Sequence, residues 1–128
     1  MCIRDSGYVV SDPKGATVAI IGTGSELGLA VDAAKVLEGK GIKARVVSMP
    51  CVERFLAQDA AYRESILPKS MKIASVEAGR SGPWAMLTGA DGLNLGVDTF
   101  GESAPYEEVY EHFGLTPDAV AERIGDWV

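Results

Sequence analysis

Three glycines between an apolar run and a helical pattern, Gly22, Gly24 and Gly28, are the first residues in this chain whose spacing could do chemistry. Glycines at such a turn can expose backbone N–H groups to a phosphate at a helix N-terminus. The spacing does not fit the known phosphate loops. A dinucleotide fingerprint needs its third glycine where Leu27 stands and an acidic residue near the end of the next strand, where the chain has Ser48 and Met49. No lysine follows as in a nucleotide-triphosphate loop. The residues therefore favour a structural corner over a phosphate cradle.

The other reactive side chains are sparse. Cys51 follows Pro50 with no histidine near it in sequence, so packing is a better reading than nucleophilic attack. Cys2 and Cys51 are the only cysteines and provide neither a disulfide framework nor a metal-ligand cluster. His112 is the only histidine, which leaves no conventional triad and no histidine-centred zinc site. It falls in the last turn of an expected helix beside Glu108 and Glu111, where the helix dipole favours a basic group. Asp91, Asp98 and Glu102 fall near expected sheet ends and read as solvated loop residues rather than a catalytic pair. Trp84, Phe100, Tyr106 and Tyr110 are more informative: most belong to a core, but aromatics in loops at a sheet edge also mark contact surfaces.

The elements that must hold these residues follow from the apolar pattern. The chain has 128 residues, 47% of them hydrophobic, the size of one domain with a sizeable core. A net charge of −6 with scattered basic residues disfavours nucleic acid as a partner. No apolar run is long enough to span a bilayer and no signal-like N-terminus is present, so a cytoplasmic location without membrane contact is expected. Residues 1–6 read as a disordered or foreign lead and residues 7–128 as one domain.

Residues 7–10 read as an edge strand closed by Ser11, Asp12 and Pro13. Residues 18–21 read as a central parallel strand with both faces covered. A helix beginning near Thr23 or Ser25, with Thr23 and Glu26 as a capping box, carries the stripe Leu27, Ala30, Val31, Ala34 and Leu37 and stops at Gly39 and Gly41. Strands follow at 44–49, 72–76 and 93–97. Between the first two, a helical turn carries Val52, Phe55 and Leu56, and Asp59 caps a helix bearing Tyr62 and Ile66 that Pro68 ends. A short helix from about Trp84 ends at Gly89, and another from Ser103 carries Tyr106, Val109, Tyr110 and Phe113 to Gly114. The last helix opens with Thr116 as cap and Pro117 at its first position, with Val120, Ile124 and Val128 expected on its buried side.

Several strings carry a more specific signal: GYVVSD at 7–12, GTGSE at 22–26, ARVVSMP at 44–50, QDAAYRESILPK at 58–69, VEAG at 76–79 and DTFGESAP at 98–105. In this order they resemble the C-terminal domain of transketolase, over nearly the whole chain from residue 7. The resemblance weakens over residues 80–91 and does not extend to residues 1–6. It implies an α/β fold, a three-layer α/β/α domain with a five-stranded mixed sheet whose first short strand is antiparallel. It implies membership of an enzyme that moves a two-carbon ketol unit from a ketose phosphate to an aldose phosphate in the pentose phosphate pathway, using thiamine diphosphate and Mg2+ or another divalent cation. In that family the cofactor, the metal and the main sugar-phosphate contacts belong to the two preceding domains of a homodimer. The resemblance therefore implies that this chain binds no cofactor or metal, holds no catalytic residue and is inactive alone. Its partners would be the upstream domains or a separate catalytic subunit, and Glu77, Gly79, Trp84, Asp98, Phe100 and Glu102 are the candidate interdomain or dimer contacts. A binding or regulatory module of the same fold is the competing reading. An NAD-dependent oxidoreductase is opposed by Leu27 and Ser48, and a dehydrogenase β subunit by the 58–69 string.

Overall fold

The computed structural model describes residues 7–24, 26–77, 85–89, 92–95 and 116–128. Five strands form one sheet: β1 (Tyr8–Ser11), β2 (Val18–Gly22), β3 (Ala44–Ser48), β4 (Lys72–Val76) and β5 (Leu93–Leu95), in the order β1-β3-β2-β4-β5. β1 runs antiparallel to β3, with a register shift between Val9 and Ser11, and the other pairings are parallel. The described helices are α1 (Glu26–Gly39), α2 (Val52–Leu56), α3 (Ala60–Ile66), α4 (Ala85–Thr88) and α5 (Pro117–Trp127). The architecture is a three-layer α/β/α domain.

The layering follows from crossover handedness. The connection from β2 to β3 moves one way along the sheet and that from β3 to β4 moves back past β2, so right-handed crossovers place α1 on one face and α2 and α3 on the other. The alternation of β2 records this. Val18 and Ile20 join Ala30, Ala33, Leu37, Val120, Ala121 and Ile124 under α1 and α5, whereas Ala19 and Ile21 join Met49, Phe55, Ile66 and Leu67 under α2 and α3. Every residue of β2 is buried, as a central strand with two covered faces requires.

Local chemistry sets the element ends. Asp59 accepts a hydrogen bond from the Tyr62 N–H at 2.7 Å, and Thr116 accepts one from the Ala119 N–H at 3.3 Å, each at its expected helix start. α1 closes with the Gly41 N–H on the Glu38 carbonyl and the Ile42 N–H on the Leu37 carbonyl, both 3.0 Å, and Gly41 has the positive φ of 84° that this stop demands.

Three expectations are corrected. Helix α1 starts at Glu26, so Thr23 and Glu26 do not stand as cap and third residue; the turn instead closes through the Thr23 carbonyl, 3.1 Å from the Glu26 N–H. The buried line of α1 runs through Glu26, Ala30, Ala33 and Leu37, with Leu27, Val31 and Ala34 only flanking it, because Ala33 is the residue aligned one turn below Leu37. Val128 is 48% exposed, since α5 ends at Trp127 and the chain has turned off its buried face by then. The expected helix over 103–113 and the end of the strand at 96–97 lie outside the described residues.

Candidate interdomain face

The parallel strands end together along one edge of the sheet, at Gly22, Ser48 and Val76 with Leu95 beside them. Parallel α/β sheets usually receive ligands or partners along this edge. Two backbone hydrogen bonds extend the pairing just past it: the Met49 N–H to the Gly22 carbonyl and the Glu77 N–H to the Leu95 carbonyl, each 3.0 Å. The second fixes where Glu77 leaves the sheet. Glu77 itself is half-buried. Of the expected contact residues only Glu77 is placed; Gly79, Trp84, Asp98, Phe100 and Glu102 lie outside the described residues.

The glycine corner on the same edge is filled by its own helix. A Cβ on Gly22 would lie 3.0 Å from the Glu26 carbonyl oxygen and the Leu27 Cα, and 3.2 Å from the Ala30 Cβ. The missing side chain therefore admits α1 against β2. Gly24 supplies the positive φ of 56° that the turn needs, and Gly28 sits inside α1 with no neighbour crowding its α-carbon. Glu26 is buried in the first turn of α1, where a carboxylate opposes any bound phosphate. The structural corner is the reading the packing supports.

Cys51 is a half-buried free thiol at the start of α2, where its side chain makes no capping hydrogen bond. Asp91 and His112 lie outside the described residues. Among the described residues no three His, Cys, Asp or Glu side chains converge on a possible metal site. Among the described residues no helix is long and apolar enough to cross a membrane.

Long-range polar ties hold the α2 and α3 side of the domain, and sequence spacing gave no sign of them. The Arg45 guanidinium donates from Nε and Nη2 to the two carboxylate oxygens of Asp12 at 3.1 and 3.2 Å. Its Nη1 donates to the carbonyls of Ser65 and Ile66 at 2.9 and 3.0 Å, covering the end of α3. The Tyr62 hydroxyl donates to the Gly7 carbonyl, and burial pushes its phenol up from the ordinary 10.0. A Cβ on Gly7 would lie 2.7 Å from the Met49 sulfur and 2.8 Å from a ring carbon of Phe55, so any side chain there would force Met49 and Phe55 to shift. Ser75 and Thr88 each donate to Asn94 Oδ1, at 2.8 and 3.0 Å, joining α4 to β4 and β5. Nothing in the sequence around Arg45 pointed to acceptors 20 to 33 positions away.

The fold defines a transketolase-type C-terminal module, a mixed-sheet α/β/α domain. Residues 6–116 match the transketolase-like TK C-terminal domain family. The plasmid-encoded transketolase of Cupriavidus necator is 56% identical over 119 residues, covering 93% of this chain and 18% of its own length. A crystal structure of transketolase from Pichia stipitis with sedoheptulose-7-phosphate superposes with a TM-score of 0.90 at 40% identity, over 96% of this chain and 18% of that one. A split-gene transketolase, described as an inactive β4 tetramer, aligns with a TM-score of 0.66 at 28% identity, over 95% of this chain and 42% of that one. The chain belongs to the transketolase C-terminal domain family, and it spans about a fifth of the length of the curated relatives it matches.

Proposed function

We propose that this chain works as the C-terminal domain of a transketolase, an enzyme that transfers a two-carbon ketol unit from a ketose phosphate to an aldose phosphate. The observation that carries the reading is the 56% identity over nearly the whole chain to a transketolase of which that match is only 18%. In the assembled enzyme thiamine diphosphate and a divalent cation are bound by the preceding domains, and the complex is a homodimer acting on sugar phosphates in the cytoplasm. The role of this domain is packing. Glu77, Gly79, Trp84, Asp98, Phe100 and Glu102 are the proposed contacts with the other domains or the second subunit, and the chain alone has no activity.

The test is association with the part of Cupriavidus necator transketolase that precedes its matched region, supplied as a separate polypeptide. The two should co-elute, and Trp84→Ala and Phe100→Ala should each weaken association by about tenfold or more if they are contact aromatics, the residue type that dominates such interfaces. Independent elution of the two polypeptides at micromolar concentration would count against the reading. A second reading, a stand-alone subunit of a split enzyme, is favoured by the likeness to the split-gene transketolase chain. It predicts that the native chain is recovered from cells already bound to a catalytic subunit.

A further inference from the structure

Away from the sheet edge, a groove of about 840 Å³ opens between α3 and α4 and reaches the start of β4. That volume lies within the range of small-molecule clefts. Its apolar lining includes Phe55, Leu67, Ile73 and Leu87. Arg63 also lines it, from α3, and the Arg63 Nε is buried without a hydrogen-bond partner among the described residues. A guanidinium cannot shed its charge, so a buried, unanswered N–H on it is costly unless an acceptor arrives.

The neighbouring charges sharpen the point. Arg45 is engaged by Asp12 and two carbonyls, and Lys72 donates to the Trp127 carbonyl at 3.0 Å with its ammonium 5.1 Å from the centre of the Trp127 ring. Glu64, the acidic residue in the lining, accepts from the Lys69 N–H at 3.1 Å. Arg63, Lys69 and Lys72 thus give the groove three cations against one carboxylate, with Arg63 set beside the apolar wall, a combination that suits an anion carrying a hydrophobic body. We propose that this groove binds a small organic anion, a phosphate or carboxylate on Arg63 with an apolar group lying on Phe55, Leu67, Ile73 and Leu87. The groove lies apart from the described strand ends at Gly22, Ser48 and Val76.

Phenyl phosphate, benzoate, inorganic phosphate and phenol, titrated into the chain while amide shifts of Ile73 and Leu87 are followed, separate charge from body and phosphate from carboxylate. Saturable binding of phenyl phosphate or benzoate on the order of 1 mM is expected, about tenfold tighter than phenol or inorganic phosphate. Arg63→Met should weaken the better probe by about tenfold, and Arg63→Lys should restore part of the loss. Because Met removes a buried donor with no acceptor, its melting temperature should equal or exceed that of the parent, which separates lost binding from lost folding. Absence of saturable shifts, or equal affinity in Arg63→Met, overturns the proposal. Loss of probe binding when the preceding transketolase polypeptide is added also overturns it, by assigning the groove to a protein contact.

Discussion

The two faces of the sheet are closed in different ways. Under α1 and α5 the seal is apolar: Ala30, Ala33, Leu37, Val120, Ala121 and Ile124 are fully buried against Val18, Ile20 and Val46 of the sheet. Under α2, α3 and α4 the helices run only four to seven residues, too short to carry a full apolar stripe. That face has its own apolar cluster but is also tied by Arg45 on the α3 carbonyls, Tyr62 on Gly7 and the Ser75, Thr88 and Asn94 group, and it retains a groove. Long helices close a sheet by area; short ones need directional bonds to hold them in place. The second kind of closure leaves space that a ligand can use.

The largest test of this difference is truncation. Leu37→Ala and Ile124→Ala should each cost about 2–5 kcal/mol in denaturant unfolding, since a tightly sealed face cannot collapse around the void. Ile66→Ala, beside the more open face, should fall at the lower end of that range. Equal losses at Leu37 and Ile66 would break the comparison.

Replacing the directional ties comes next. Arg45→Met should cost about 1–3 kcal/mol, because the Ser65 and Ile66 carbonyls and Asp12 all lose their donor while the aliphatic stem is kept. Asp12→Asn should cost less, since Asp12 is half-exposed and Arg45 keeps its two carbonyls. The caps provide a control: Asp59→Ala on one face and Thr116→Ala on the other should each cost about 1 kcal/mol. Capping is local, so a large difference between them would mean that the faces differ in more than their mode of closure.

The smallest expected effect is a pH dependence. The folded Tyr62 phenol has its pKa raised above the ordinary 10.0, so its contribution is complete below that value and is lost as pH rises toward and through the folded pKa. Tyr62→Phe should remove that alkaline loss, seen as a shallower fall in melting temperature above pH 10. An unchanged alkaline slope would mean the hydroxyl's bond to Gly7 contributes nothing.

Much of this was legible in the sequence where one residue type answers one local need. The apolar run of β2, the caps Asp59 and Thr116, Pro117 at a helix start and Gly41 at a helix stop each follow from short-range chemistry. The choice of Ala33 over Ala34 for the buried line was not legible, because both are small and one position of rotation separates them. Val128 misled because period alone does not say where a helix ends. Arg45 and Arg63 were silent for a further reason: their roles depend on groups brought close only by the crossovers. At the glycine turn the packing supplies a structural reason for Gly22, since α1 occupies the space its side chain would need.

The most direct test of the central claim, that this domain's chemistry is done elsewhere, is a ketol-transfer assay with xylulose 5-phosphate and ribose 5-phosphate, thiamine diphosphate and Mg2+. The chain alone should give no turnover, and turnover should appear when the preceding transketolase polypeptide is added. Turnover by the purified chain alone would contradict the account.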